Sequence, residues 1–407
     1  MNPLPRETLT ITEIPYGGRG MGRIDGKVCF VQGVLPDETV QVEITRDRGD
    51  FLEARLLEVS VPSPHRIEPA CPLAFRCSSL RYSAACPGCT YQHAGYEAEV
   101  RLKTGQLITL LARHDPDSLS LLRPSVAAAV PLGYRNKMAL HAQADGTEMK
   151  LGYFMADNTT VLDVPACPLA MPALTGLLAE RRAEASFFRT LRDGMTLTFR
   201  WTQKDGAVWW RNCAAEHDVW LVESSVIGPL SVPRNSFYQM NPVMADRLVE
   251  AVMDRLRQSP ARTVVDLYCG VGVFALAAAT LGTPQVIGID LDGPGIRAAA
   301  FNARRLGLAN TAWQAATADE GILSFEAGNG PTTFIVDPPR SGLGRAMVTG
   351  ILKHRPQRLL YVSCAADTMI RDAAWLREGG YAIRSSQLFD MFPRTAHFES
   401  LTEFTEA

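Results

Sequence analysis

A thiol at the end of an apolar run is the first group in this chain that could do chemistry. In "RLLYVSCAADTMIRD" the stretch Leu359 to Val362 reads as a buried strand and Thr368 to Leu376 as an amphipathic helix, so Ser363 and Cys364 fall on the loop between them. In an α/β sheet ligands bind outside the carboxyl ends of the strands, which makes Cys364 a candidate nucleophile. The plain alternative is an inert, buried thiol. The preceding strand, "TTFIVDPPRSGL", ends on Asp337 and two prolines, which withhold N–H groups and stiffen the loop that follows.

Further upstream, "VVDLYCGVGVFALAAA" runs from a strand through a glycine turn into a helix, with Gly270, Gly272 and Ala275 at the G-x-G-x-x-G/A spacing. Eighteen residues after Gly272, Asp290 ends the strand "QVIGID", where a carboxylate can accept hydrogen bonds from both ribose hydroxyls of an adenosine. Taken alone, the turn also suits a nicotinamide dinucleotide or a purely structural role. Joined to the Asp-Pro-Pro of a later strand, the set fits an S-adenosylmethionine methyltransferase best.

A second constellation is made of sulfur. Four of the nine cysteines fall in "CPLAFRCSSLRYSAACPGC". In a reducing compartment such a group speaks for a metal or a cluster before disulfides. Cys86 and Cys89 form a Cys-x-x-Cys pair, and with Cys71 upstream and Cys167 in "VPACPLAM" they supply four thiolates, enough for a 4Fe-4S cluster or a structural zinc. Cys77 competes with Cys71 as the first ligand. Cys29, Cys213 and Cys269 read as packing or turn residues.

Three regimes of sequence must position these groups. Residues 1–62 carry short β-type runs separated by Gly, Asp and Pro turns, expected to form a small barrel of the oligonucleotide-binding kind. Its glycine-rich segment "YGGRGMGRIDG" carries Arg19 and Arg23, candidate RNA contacts together with Arg135 and Lys137; each also suits a solvated face. Residues 63–234 hold the cysteines, a helical stretch at about 95–123 and mixed β-rich sequence, an α+β region. Residues 235–407 alternate strand and helix, which predicts a doubly wound, largely parallel, Rossmann-like α/β sheet. With 46% hydrophobic and 21% charged residues, net charge −2 and no run near the roughly 18 apolar residues of a membrane span, the 407-residue chain reads as an ordinary soluble, cytoplasmic protein without a general nucleic-acid-binding charge.

Along almost its whole length the chain resembles the bacterial RNA 5-methyluridine methyltransferases that carry an amino-terminal TRAM domain and an iron-sulfur cluster. "GRGMGRIDGKVCFVQGVLPDETVQVEI", "CPGCTYQH", "GYRNK", "NSFYQMN", "DLYCGVGVF", "DPPRSGL", "YVSC" and "DMFPRTAHFE" follow one another in that family's order. The resemblance implies S-adenosylmethionine as methyl donor and a 4Fe-4S cluster on Cys71, Cys86, Cys89 and Cys167. It implies Cys364 as nucleophile and Glu399 as general base, with His397 as a second candidate, and Gln239, Tyr268, Gly270, Asp290 and Asp337 around the cofactor. The substrate expected from it is RNA, 23S ribosomal RNA ahead of transfer RNA, with no membrane or protein partner. Asp290, Val273 and "SCAADT" depart from the family's commoner residues. Two other readings stay open: methylation of an amino group, which needs no Cys364, and an RNA-binding protein whose methyltransferase domain has decayed. A neighbouring helix amino-terminus is expected to lower the pKa of Cys364.

Overall fold

The computed structural model describes residues 6–75, 85–212, 219–326 and 328–407, so that Cys77 and Cys213 lie outside the described residues. Strands β1 (Arg6–Thr10), β2 (Gly20–Ile24), β3 (Lys27–Val31), β4 (Thr39–Asp47) and β5 (Phe51–Val61) form a sheet in the order β1-β4-β5-β3-β2. A bridge between Glu13 and Met21 joins the chain just beyond β1 to β2 and closes the sheet around Leu9, Ile11, Val31, Val40 and Val42. The two-residue period of a strand is plain in β4, where Val40 and Val42 are buried and their neighbours are not.

Helix α1 (Tyr96–His114) turns Ala98, Glu99, Lys103, Gln106, Leu107 and Leu111 inward, at the three-and-four spacing of one helix face. Leu107 and Leu111 enter the hydrophobic core of the carboxyl-terminal sheet. The helix stops at Asp115, whose side chain accepts from the Asp117 N–H to start a 3-10 turn over Pro116–Leu121. Strands β6 (Lys137–Asp145), β7 (Glu148–Phe154), β8 (Val161–Asp163), β9 (Thr196–Thr202) and β10 (Gly206–Arg211) make an antiparallel sheet ordered β10-β9-β6-β7-β8. Helix α2 (Pro172–Ala183) covers it with Leu174 and Leu178, and α3 (Ala185–Thr190) with Phe187. A two-stranded ladder, β11 (Trp220–Glu223) and β12 (Leu230–Pro233), leads to α4 (Pro242–Gln258).

The third large sheet holds β13 (Thr263–Leu267), β14 (Gln285–Asp290), β15 (Thr311–Ala315), β16 (Thr332–Val336), β17 (Arg358–Ser363), β18 (Tyr381–Phe389) and β19 (Glu399–Glu406). The crossovers are α5 (Val273–Thr280), α6 (Gly293–Arg305), α7 (Ala318–Ser324), α8 (Gly344–His354) and α9 (Ala366–Glu378). Every residue of β13, β16 and β17 is buried, as expected for strands covered on both faces. The order is β15-β14-β13-β16-β17-β19-β18; β13 to β17 are parallel, and β19 runs antiparallel to both its neighbours. Strand order reverses between β14 and β16, on either side of β13, which opens a crevice at the carboxyl ends of the parallel strands.

Candidate active site

The floor of that crevice is the turn after β13. Asp266, fully buried between Val265 and Leu267, accepts from the Ala275 N–H of α5 at 2.9 Å and so ties the glycine turn to the strand that precedes it. Burial raises its carboxyl well above the ordinary range. Tyr268 at φ 66° and Gly272 at φ 82° take left-handed backbone, costly for any residue with a Cβ. At Gly272 a Cβ would also lie 2.6 Å from the Trp313 ring, so glycine is required there by both space and torsion. Gln239, Tyr268, Gly270, Val273 and Asp337 line one cavity with Phe237, which is 64% exposed.

Asp290 lies beneath the turn and does not line that cavity. Its Oδ2 accepts from the Gly270 N–H at 2.8 Å and its Oδ1 from the Asp292 N–H at 2.7 Å, leaving a lone pair on each oxygen for a further donor. Asp337, at the end of β16, is pushed up to about 7 by burial and by the neighbouring charge of Asp290.

Cys364 and Glu399 meet because β19 is antiparallel. Ser363 pairs with Ser400, so one step further along the same register sets Cys364 opposite Glu399. Glu399 is 3% exposed, and its Oε2 finds no hydrogen-bond partner among the described residues. Burial and then Asp337 raise its carboxyl well above the ordinary range, with Arg340 pulling the other way. His397 is pushed down to about 4, first by burial and then by Arg340. Of the two candidate bases, Glu399 is therefore the stronger proton acceptor.

The Cys364 thiol is raised, against the expectation from its place before a helix. Burial comes first, followed by the charges of Glu399 and Asp337, and together they move it to about 11. The helix amino-terminus offers little relief because its first N–H groups are taken: Ala365 donates to Ser363 Oγ at 3.1 Å and Ala366 to the Tyr16 hydroxyl at 3.2 Å. The thiolate is the reactive form, so alkylation of Cys364 by iodoacetamide in the free enzyme should accelerate about tenfold per pH unit towards that value. Peptide mass spectrometry across a pH series checks this, and a plateau at neutral pH would contradict it.

The segment leading into Glu399 is clamped by charges that motif reading passed over. Lys103 of α1, fully buried, donates to Glu99 and to Asp390, each at 2.7 Å, and to the Phe392 carbonyl at 3.2 Å. Arg394, at φ 69°, donates through its N–H to Glu99 at 2.6 Å and through its guanidinium to the Ala94 carbonyl at 2.8 Å. The Thr90 and Tyr91 N–H groups both donate to the Arg394 carbonyl, at 2.9 and 3.0 Å. Asp266, Lys103 and Arg394 went unnoticed in sequence because a charge inside an apolar strand or helix face is the only local sign such a group leaves.

Cys71, Cys86, Cys89 and Cys167 line a single small cavity with Tyr153 and Gln92. Gln92 bridges two of the segments: it accepts from the Cys71 N–H at 3.0 Å and donates to Cys89 Sγ at 3.2 Å. Burial raises the Cys86 thiol and pushes Cys89 up to about 12, while Arg135 favours the ionised form of both. Arg135, half-buried, lies within electrostatic reach of Cys86 and Cys89 with its guanidinium over the Tyr134 ring. Among the described residues no three metal-binding side chains are drawn close enough to hold a single ion. Lys137 is half-buried, whereas Arg19 and Arg23 are exposed on the barrel, Arg19 over the Phe30 ring.

Comparison with known proteins agrees with this layout. A family profile described as tRNA (uracil-5-)-methyltransferase matches residues 230–404, and a TRAM-domain profile matches residues 6–57. The chain is 31% identical to a 23S rRNA (uracil(1939)-C(5))-methyltransferase of Halomonas elongata, over 97% of this chain and 89% of the relative. It is 28% identical to the protein of the same description from Pectobacterium atrosepticum, over 99% and 94%. Its fold is that of the Pyrococcus abyssi tRNA (uracil-54, C5)-methyltransferase, solved with S-adenosyl-L-homocysteine: TM-score 0.73, 20% identity, 98% of this chain and 100% of the other.

Proposed function

Since the chain belongs to the TRAM-bearing RNA uracil-5 methyltransferases, which methylate carbon 5 of uracil with S-adenosylmethionine, we propose that it does so through a covalent adduct between Cys364 and the target base. The observation that carries this reading is the placement of Cys364, one residue past the Ser363–Ser400 pair of β17 and β19, within electrostatic reach of Glu399 and Asp337. Carbon 5 of uracil is a poor nucleophile. Addition of the Cys364 thiolate at carbon 6 converts the ring to an enolate whose carbon 5 can attack an electrophilic methyl. The bound S-adenosylmethionine supplies that methyl and a positive sulfonium charge. Glu399 and Asp337 both raise the Cys364 thiol, and Asp337 raises Glu399, so a cation held beside Asp337 favours the thiolate. The same cation favours the Glu399 carboxylate, which, buried and with Oε2 free of hydrogen bonds among the described residues, takes the proton from carbon 5. Elimination re-forms the carbon 5–carbon 6 double bond and releases Cys364.

Gln239, Tyr268 and Gly270 would hold the cofactor in the cavity they line, and Asp290 would offer its remaining lone pairs to the ribose. The exposed Phe237 ring at the same cavity suits a base stacked out of its helix. Arg19 and Arg23 on the barrel suit flanking phosphates, which predicts RNA binding that weakens steeply with salt.

The RNA is proposed to be 23S ribosomal RNA, because the relatives that align over nearly the whole chain carry that description. Nucleoside mass spectrometry of ribosomal and transfer RNA from cells lacking the gene, incubated with purified protein and S-adenosylmethionine, tests it. New 5-methyluridine is expected in the 23S pool; its appearance in transfer RNA alone would replace the target.

The four cysteines are proposed to hold a 4Fe-4S cluster. An all-thiolate set around one cavity suits iron and sulfur or zinc, and the resemblance of the cysteine segment favours the cluster. Cys71 would be the first ligand. The cluster's segment would act as structure, because Thr90, next to Cys89, bonds the loop that leads to Glu399.

A further inference from the structure

The barrel reaches into the site. Tyr16, in the loop between β1 and β2, packs against the core of the carboxyl-terminal sheet, and its ring meets Phe398 edge-on, centroids 5.7 Å apart at 80°. Phe398 is the residue before Glu399. The Tyr16 hydroxyl accepts from the Ala366 N–H at 3.2 Å, two residues after Cys364. One side chain from the amino-terminal barrel therefore touches both the turn that presents Cys364 and the strand that presents Glu399.

The loop that carries Tyr16 is held rather than draped. Gln106 of α1, buried, donates through Nε2 to the carbonyls of Ile14 (3.0 Å) and Pro15 (3.2 Å) and to the Tyr91 hydroxyl (2.9 Å). Gly18 is wedged so closely that a Cβ there would lie 2.6 Å from Thr90 Cγ2 and 3.0 Å from Ala396 Cβ, at φ 83°. The Tyr16 proton is not donated to any acceptor among the described residues, and the hydroxyl lies within electrostatic reach of Cys364. Burial keeps it protonated, raised to about 12.

We propose that Tyr16 is a positioning residue for the nucleophile: its hydroxyl and ring fix the Cys364 turn against the Phe398–Glu399 strand, so that the docked barrel forms part of the active-site wall as well as an RNA-binding surface. This rests on the reading of Cys364 as the attacking thiol. A barrel that only gripped RNA would change substrate affinity, whereas a barrel that aligns the thiol changes the rate of bound substrate.

Tyr16→Phe keeps the ring on Phe398 and removes only the oxygen. It is expected to lower kcat roughly tenfold, the scale of one lost hydrogen bond, with the KM for RNA unchanged. Trapping of the enzyme on 5-fluorouridine RNA, in which the fluorine cannot leave as a proton would, should slow by the same factor. Gln106→Met, which keeps the volume but frees the Tyr16 loop, should move kcat in the same direction while thermal unfolding confirms that both variants are folded. Wild-type kcat and trapping rate in folded Tyr16→Phe would overturn the inference, and so would a raised KM with kcat unchanged, which would make Tyr16 an RNA contact. Cys364→Ala runs beside them. Turnover by that variant would overturn the nucleophile reading and this inference with it, whereas an inactive Cys364→Ala with a wild-type Tyr16→Phe would overturn this inference alone.

Discussion

Cys364→Ala is expected to form no detectable 5-methyluridine, a loss of about 10⁴-fold or more, while still binding S-adenosylmethionine. The size follows from the chemistry, since without addition at carbon 6 there is no enolate and carbon 5 stays a poor nucleophile. Binding should survive because the groups lining the cavity proposed for the cofactor, among them Gln239, Tyr268, Gly270 and Asp337, do not include Cys364. The fold should survive too, for Cys364 sits partly exposed on a loop beyond the fully buried strand β17. Methylation assays and calorimetric titration with S-adenosylmethionine separate the two effects. Full turnover would transfer the protein to a mechanism acting on a heteroatom, where a thiol has no role.

Glu399→Gln is expected to fail at a later step. Addition and methyl transfer need only the thiolate and the electrophile, but the carbon 5 proton then has no acceptor, so the methylated base stays bonded to Cys364. A covalent enzyme–RNA complex should accumulate on denaturing gels, and steady-state turnover should fall by about 10²–10⁴, the usual worth of a positioned base. Glutamine is similar in shape and carries no charge, so the variant should fold without burying the charge that Glu399 must carry to act as a base. A variant that is slow without trapped RNA would place Glu399 before methyl transfer, in orienting the base. His397, pushed down to about 4, is too weak a base to rescue the step quickly.

Much of this site was legible as motif. Gly270, Gly272 and Asp290, joined to the Asp-Pro-Pro at Asp337, point to a nucleotide-type turn by their spacing, and the strand-helix alternation after residue 235 implies the α/β sheet that the structure has. These signals are local: a glycine that must take positive φ, or an apolar run of strand length, carries its reason within a few neighbouring residues. The sulfur set was half-local. Cys86 and Cys89 stand close in sequence, while Cys71 and Cys167 reach the same cavity only through folding.

What the linear chain could not express is the direction of β19 and the placement of the barrel. Parallel continuation of the alternation would have carried Glu399 to the far end of the sheet; the antiparallel return sets it opposite Cys364. The raised Cys364 thiol is likewise a tertiary fact, since Glu399, Asp337 and the Tyr16 hydroxyl that occupies the helix N–H come from segments far apart in sequence. The residue types and their chemistry were thus determined by the sequence itself, because bonding capacity belongs to each side chain. Their distances, burial and protonation were decided only by the tertiary structure, because electrostatic and packing energies depend on what the fold brings within a few ångströms.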